Sequence, residues 1–137
     1  MTGKLNVVGA GYALDGALGR APVTARTVYL ALLTAVPANT VTPASMQEYT
    51  AAGYSRQICA MGVPTGIPRV SNNTATITFG PITGANNLVS IVGWALVSSA
   101  SGTTGDVVAQ GDWVTARTPA ANDQLTVAPG GVSVQED

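Results

Sequence analysis

Short runs of apolar residues, separated by segments rich in glycine, proline and threonine, dominate the chain and predict β-strands. Residues 27–34 (TVYLALLT) begin with β-branched and aromatic residues and are short enough for one buried strand. Residues 89–98 are the most apolar of these runs, and residues 107–113 return after a turn. We therefore predict a β-hairpin over 89–113, with Gly93 and Gly111 as candidate bulges or points of close backbone approach.

Three further segments have strand-like patterns. Residues 74–79 alternate strictly, with threonines outside and the residues Ala75, Ile77 and Phe79 inside. Residues 54–61 predict another strand, and residues 124–135 predict one strand broken at Pro129 or two separate strands. Such short strands joined by turn-rich loops are typical of all-β proteins. The predicted fold is a mainly antiparallel β-sandwich or small barrel.

The start of the chain has a different pattern. Residues 1–26 contain several glycines and only weak helical spacing, so we predict an N-terminal arm with one or two helical turns. Residues 27–137 are then a single β-rich domain. One short helix is expected over 43–51, because Thr42 could cap it and Pro43 suits the first helical position.

Composition excludes several function classes. Charged residues make up only 9% of the 137 residues, the formal net charge is −1, and the chain has no histidine and one cysteine. Without histidine there is no Ser–His or Cys–His catalytic pair, and one cysteine makes neither an intrachain disulfide nor a thiolate metal site. The six basic residues form no stripe that would bind nucleic acid. We expect no enzyme activity and no cofactor, and a buried Cys59.

Low charge combined with 46% hydrophobic residues also bears on solubility and location. No apolar run approaches the roughly 20 residues that span a bilayer, and residues 1–6 lack the features of a signal peptide. We therefore expect a soluble protein made in the host cytoplasm, with no membrane partner and no small-molecule substrate. A surface with so few charges is explained most simply if other subunits cover much of it.

Two motifs suggest ligand chemistry but fit it poorly. Residues 7–14 (VVGAGYAL) resemble a dinucleotide-binding turn, yet Leu14 occupies a position that needs a small residue, and no acidic residue follows at the required distance. Asp106 and Asp112 would share one face of a strand at a separation of roughly 20 Å, too far for a glycosidase pair. A calcium site built partly from backbone carbonyls is left open.

The rare charges and aromatic residues are instead candidates for a protein interface. Arginine pairs well with carboxylates, either within the chain or between subunits. We expect Trp94 in the core and Trp113 as an interface anchor. The candidate interface residues are Tyr12, Arg20, Arg26, Tyr54, Arg56, Arg69, Asp112, Trp113 and Arg117.

Several segments, taken in order, resemble a family of small structural proteins from the virions of tailed bacteriophages, of the head decoration or minor tail type. The similarity extends over about residues 27–134 and comprises VYLALLT at 28–34, GYSRQ at 53–57, NTATITFGP at 73–81, GWALV at 93–97 and GGVSV at 130–134.

The resemblance implies a particle component without an enzymatic site. The expected function is capsid decoration, in which the protein clamps neighbouring major capsid subunits on the head exterior and associates with copies of itself, as a trimer in many such proteins. The alternative is a minor tail, baseplate or fibre-attachment protein. A third possibility, from the residues alone, is a carbohydrate-binding module with Trp113 and Tyr54 as stacking platforms.

Overall fold

The computed structural model describes residues 1–22, 24–84 and 89–136. Within these ranges the chain forms nine strands and one helix. In chain order they are β1 (Thr2–Leu5), α1 (Val7–Ala17), β2 (Tyr29–Leu33), β3 (Gln57–Ile58), β4 (Val70–Asn72), β5 (Ile77–Ile82), β6 (Ile91–Val97), β7 (Val107–Arg117), β8 (Asp123–Val127) and β9 (Ser133–Gln135).

Seven strands form one sheet in the order β3-β2-β6-β7-β1-β9-β4, and β5 pairs with β8 in a separate two-stranded sheet. All pairings are antiparallel except that of β1 with β9. The large sheet curls into a half-barrel. The predicted all-β, mainly antiparallel fold is therefore confirmed, as is the hairpin formed by β6 and β7, whereas the one helix of the described residues lies at Val7–Ala17 and not at the predicted position.

Both faces of the large sheet are covered around its central strands. On the inner face, Leu30, Leu32 and Leu96 pack with Phe79 and Ile82 of the small sheet. On the outer face, a second cluster lies under the loop that follows β2: Ala31, Leu33, Ala95, Val97 and Val107 with Val41 and Met46. Burial on both faces explains why β2 and β6 are continuous apolar runs without alternation.

The fully buried Trp94 sits in the inner cluster, as predicted. Its ring lies against Gly111 of β7 and Gly3 of β1. A Cβ added at Gly111 would stand 2.8 Å from a ring carbon of Trp94, and one at Gly3 would also collide with the ring. These two positions therefore need glycine because the indole occupies the space of a side chain.

The structure corrects the prediction of an extended arm with one or two helical turns at the start of the chain. Residues 2–5 are a strand inside the large sheet, between β7 and β9. Residues 7–17 form a helix of three turns. The hydrophobic pattern of residues 1–26 did not reveal either element. β1 is stabilised by pairing with neighbouring strands, and α1 is stabilised by its cap and its contacts with the sheet rather than by helix propensity. The division into residues 1–26 and 27–137 stays a prediction.

Other predictions in the central part of the chain were wrong in detail. No helix forms over 43–51. Thr42 and Ser45 exchange hydrogen bonds in a turn, and the backbone carbonyl of Thr42 accepts from Met46 N at 2.9 Å. The predicted strand 54–61 is reduced to β3, and β4 was missed. Ala75 is exposed because β5 begins only at Ile77, whereas Ile77 and Phe79 are buried as predicted.

Candidate assembly surfaces and a polar pocket

Helix α1 is fixed to the sheet at its first turn. The buried Asn6 caps it, because its Oδ1 accepts from Val8 N at 2.7 Å and its Nδ2 donates to the Val41 carbonyl at 3.1 Å. Gly9 lies directly on the backbone carbonyl of Val108 in β7, where a Cβ would collide. The helix thus approaches the sheet through a glycine, not through an apolar side chain.

Several apolar residues of α1, and Leu18 at its C-cap, consequently face solvent. Val7, Leu14 and Leu18 are 50%, 59% and 72% exposed. At helical spacing they form one face together with Ala10 and Ala17, which are also exposed. We call this face the α1 stripe. A groove of about 390 Å³ runs beside most of it. A helix of a soluble protein normally turns such a face towards its own core, so the α1 stripe is an uncovered apolar surface.

Three predicted interface residues cluster around this helix. Tyr12 donates a hydrogen bond from its hydroxyl to Asp106 at 2.6 Å, and the guanidinium of Arg26 lies 4.0 Å from the Tyr12 ring centroid. Arg20 makes a bidentate pair with Asp15, its nitrogens donating at 2.7 and 2.8 Å. Arg20 therefore has an intrachain partner, the alternative that the sequence left open.

Arg56 is buried and Tyr54 is half-buried. Arg56 makes two hydrogen bonds to Glu48, at 2.9 and 2.8 Å, and donates to the carbonyls of Ser99 and Gly102. It ties the β6–β7 turn to the segment before β3. Hydrogen bonding to Glu48 raises the pKa of Arg56, although burial opposes this. The arginine thus has its salt bridge within the chain.

The ring of Tyr54 stacks on Phe79, with centroids 5.9 Å apart, and meets Tyr49 edge-on. Its hydroxyl donates to Glu48 at 2.8 Å and accepts from Leu32 N at 3.0 Å. Burial, followed by the charge of Glu48, raises the pKa of Tyr54. Both the ring and the hydroxyl of Tyr54 therefore make contacts within the chain.

The far end of β7 carries three more predicted interface residues. Asp112 pairs with Gly93, and Arg117 pairs with Ile91. Residues 113–116 of β7 therefore lie opposite a single residue of β6, so the pairing is irregular next to Gly93, one of the two candidate positions, whereas Gly111 pairs regularly with Trp94. Asp112 and Arg117 are exposed, and Trp113 is half-buried against the core. Arg69 lies elsewhere, beside an exposed tip where Ile67 is completely uncovered.

A polar pocket of about 370 Å³ opens on the outer face of the large sheet, beside the loop that covers the second cluster. Lys4 pairs with Gln110 on one side and with Gln135 on the other, so these three side chains share one face. The pocket is lined by Thr2, Gly3, Lys4, Pro37, Asn39, Gln110, Gly111, Asp112 and Gln135.

Gln110 is the most unusual residue of this pocket. It is only 4% exposed, and its Nε2 donates to Asn39 Oδ1 at 3.1 Å. Its buried Oε1 finds no donor among the described residues. An unsatisfied buried acceptor costs about 1–3 kcal/mol. The indole N–H of Trp94 is a second such group, but Trp94 belongs to the core on the other face.

Other candidate chemistry has a structural explanation. Cys59 is buried, and burial raises its pKa to about 11, as suits an unreactive core thiol. Asp106 accepts from Tyr12, and Asp123 accepts from Ala120 N at 2.8 Å. No group of three or more potential metal-ligating side chains occurs in ranges 1–22, 24–84 and 89–136. Over the same ranges, no helix is long and apolar enough to cross a membrane.

Sequence inspection missed two sets of residues. The amides of the pocket, Asn39, Gln110 and Gln135, form no sequence motif, because the register of β1 brings Gln110 and Gln135 together and a loop places Asn39 beside Gln110. The α1 stripe did have a signal, since residues 7, 14 and 18 recur at helical spacing. The glycines between them hid it.

The chain thus combines an all-β fold, few charges and an uncovered apolar helix face. The family model described as podophage GP4 fiber I protein gp80 matches residues 10–135. The chain therefore belongs to this family, and it is a phage virion structural protein, as the sequence resemblance implied. No curated protein matches the sequence.

Proposed function

We propose that the chain is a structural subunit of the phage tail-fibre apparatus and that it assembles through the α1 stripe. The observation that carries the proposal is the orientation of α1, which presents Leu14 and Leu18 to solvent and a glycine to its own sheet. Covering such side chains contributes about 25 cal/mol per Å² of apolar surface. The fibre description of the family supports a place in the tail.

The proposed occupant of the α1 stripe is a neighbouring copy of this chain. The stripe has no charged member, and the formal net charge of −1 gives only weak repulsion between copies. Most assemblies of soluble proteins are built from identical subunits. The proposal assigns no catalytic step and no cofactor to the chain.

Capsid decoration is the second candidate. It is supported by the low content of charged residues, 9%, which suits a surface that is covered by neighbouring subunits. Such neighbours could include major capsid subunits on the head exterior. Quantitative mass spectrometry and labelled-antibody imaging of purified virions distinguish the two functions. A small copy number on the tail supports the fibre proposal, and hundreds of copies on the head would refute it in favour of decoration.

Self-assembly is tested on the purified chain by light scattering after size-exclusion chromatography. We expect an oligomer for the wild type and a monomer for the double variant Leu14→Glu, Leu18→Glu. Ile58→Glu is the matched control, because Ile58 is 62% exposed and lies on the edge strand β3, three strands away from β7, which contacts the helix. A monomeric wild type, or a double variant that still assembles, would contradict the role of the stripe.

A further inference from the structure

We call residues 63–68 the apolar tip, and we propose that the apolar tip of a second copy covers the α1 stripe, so that two copies of the chain exchange their tips. This inference rests on the proposed function and deepens it, because it names the partner of the same helix face. Three features carry it: the exposed tip itself, an apolar groove between the tip and α1, and one charge of each sign beside that groove.

A tight hairpin holds the apolar tip in place. The backbone N–H groups of Thr65 and Val70 each donate to the other residue's carbonyl, at 2.9 and 2.8 Å. Within the tip, Val63 is 85% exposed and Ile67 is completely uncovered. Neither side chain packs against the hydrophobic clusters of the described residues, and the tip contains no charged residue. The hairpin therefore presents two aliphatic side chains to solvent in a defined position.

An apolar groove lies between the apolar tip and α1. It has a volume of about 250 Å³, and its lining includes Leu5 of β1, Ala13 of α1 and Val134 of β9. Leu5 and Ala13 also line the groove beside the α1 stripe, so the two depressions are continuous. An apolar element that enters here covers the groove and the stripe together, and burial of apolar surface favours that contact.

The tip and the groove are neighbours on one surface, because Pro64 of the tip itself lines the groove. A two-fold symmetric contact joins the same patch on both subunits, so this patch must be complementary to itself. A protrusion beside a depression meets that condition, since each copy can insert its tip into the groove of the other. The geometry of the patch therefore favours a second copy as the occupant.

The charges beside the groove favour the same arrangement. Arg69 at the base of the tip and Glu136 after β9 both line the groove, and both are exposed. Neither forms a salt bridge with another residue in the part of the chain that the structure describes. When two copies exchange tips, Arg69 of each copy approaches Glu136 of the other. Their opposite charges then fix the orientation of the apolar contact.

The first test measures self-association of the full chain by sedimentation velocity over a concentration series. Val63→Glu and Ile67→Glu should each weaken association about tenfold or more, because a charge replaces a buried aliphatic side chain. Val114→Glu is the matched control. Val114 is 82% exposed, and the strand register places it and the apolar tip at opposite ends of the sheet. An equal loss in the control would overturn the assignment to the tip.

A charge exchange tests the orientation of the contact. Arg69→Glu and Glu136→Arg should each weaken association, since each variant brings like charges together. The double variant should associate within a few-fold of the wild type, because the pair forms again with its charges reversed. A double variant as weak as the single variants would overturn the proposed pairing of these two residues.

The outcomes also separate this inference from the proposed function. Assembly that requires Leu14 and Leu18 but survives both Val63→Glu and Ile67→Glu would overturn the tip exchange and leave the α1 stripe as the assembly surface. A monomeric wild type would overturn both. A monomeric wild type that floats with phosphatidylglycerol vesicles, and loses this binding in Ile67→Glu, would assign the apolar tip to a membrane surface instead.

Discussion

A matched pair of substitutions in α1 tests whether the helix docks through glycine with its apolar stripe outward. Gly9 and Gly11 belong to the same helix and neither has a positive φ. An added Cβ at Gly9 collides with the Val108 carbonyl, whereas one at Gly11 has nothing within 4 Å. Gly11→Ala should therefore stabilise the protein by about 0.8–1 kcal/mol through helix propensity alone.

Gly9→Ala has the opposite expected sign. Its neighbour is backbone and cannot rotate away, so the overpacking cost should be near the upper end of the usual range, about 3 kcal/mol. A propensity gain of up to about 1 kcal/mol leaves a net loss of about 2 kcal/mol. At about 4 °C per kcal/mol, Tm should fall by about 8 °C for Gly9→Ala and rise by about 4 °C for Gly11→Ala. Calorimetry and urea unfolding measure both values. Equal stability of the two variants would refute the docking geometry.

Two further predictions concern the core. Glu48→Gln leaves the buried Arg56 guanidinium without its counter-charge and should lower the free energy of unfolding, measured in urea, by about 3 kcal/mol. Asp15→Asn breaks an exposed pair and should lower it by less than about 1 kcal/mol. Similar losses for the two variants would contradict the burial assigned to Arg56. Because the folded pKa of Cys59, about 11, exceeds its ordinary value of 9.0, stability should fall as pH rises from about 9 to 11. Cys59→Ala should weaken this pH dependence of stability. A variant with the same pH profile as the wild type would argue against Cys59 as its cause.

The strands that were predicted correctly from the sequence are those whose own residues form a recognisable hydrophobic pattern. β2 and β6 are continuous apolar runs because both of their faces are covered. The hairpin of β6 and β7 could be predicted because the two strands follow one another in the chain with only a turn between them. β1 and β4 were missed because their pairing partners lie far away in sequence, and four or three residues hold too little pattern to predict a strand.

The structure places only some of the candidate interface residues on the surface, for a physical reason. Arginine and tyrosine suit a subunit interface and an internal network equally well, and only tertiary contacts decide between them. Arg56 and Tyr54 belong to the internal network with Glu48. The exposed members, Asp112 and Arg117, remain predicted interface residues. The pocket depends on side chains from three strands and one loop, so the register of β1 had to be known first.

The position of β1 in the middle of the sheet also affects how the protein is made. Its partners on β7 and β9 lie more than 100 residues further along the chain. At synthesis rates of about 5–20 residues per second, β1 leaves the ribosome on the order of ten seconds before its second partner exists. During that time both of its edges are open to other nascent chains. Slow translation should therefore lower the yield of folded protein, and chaperones that bind the first residues should raise it.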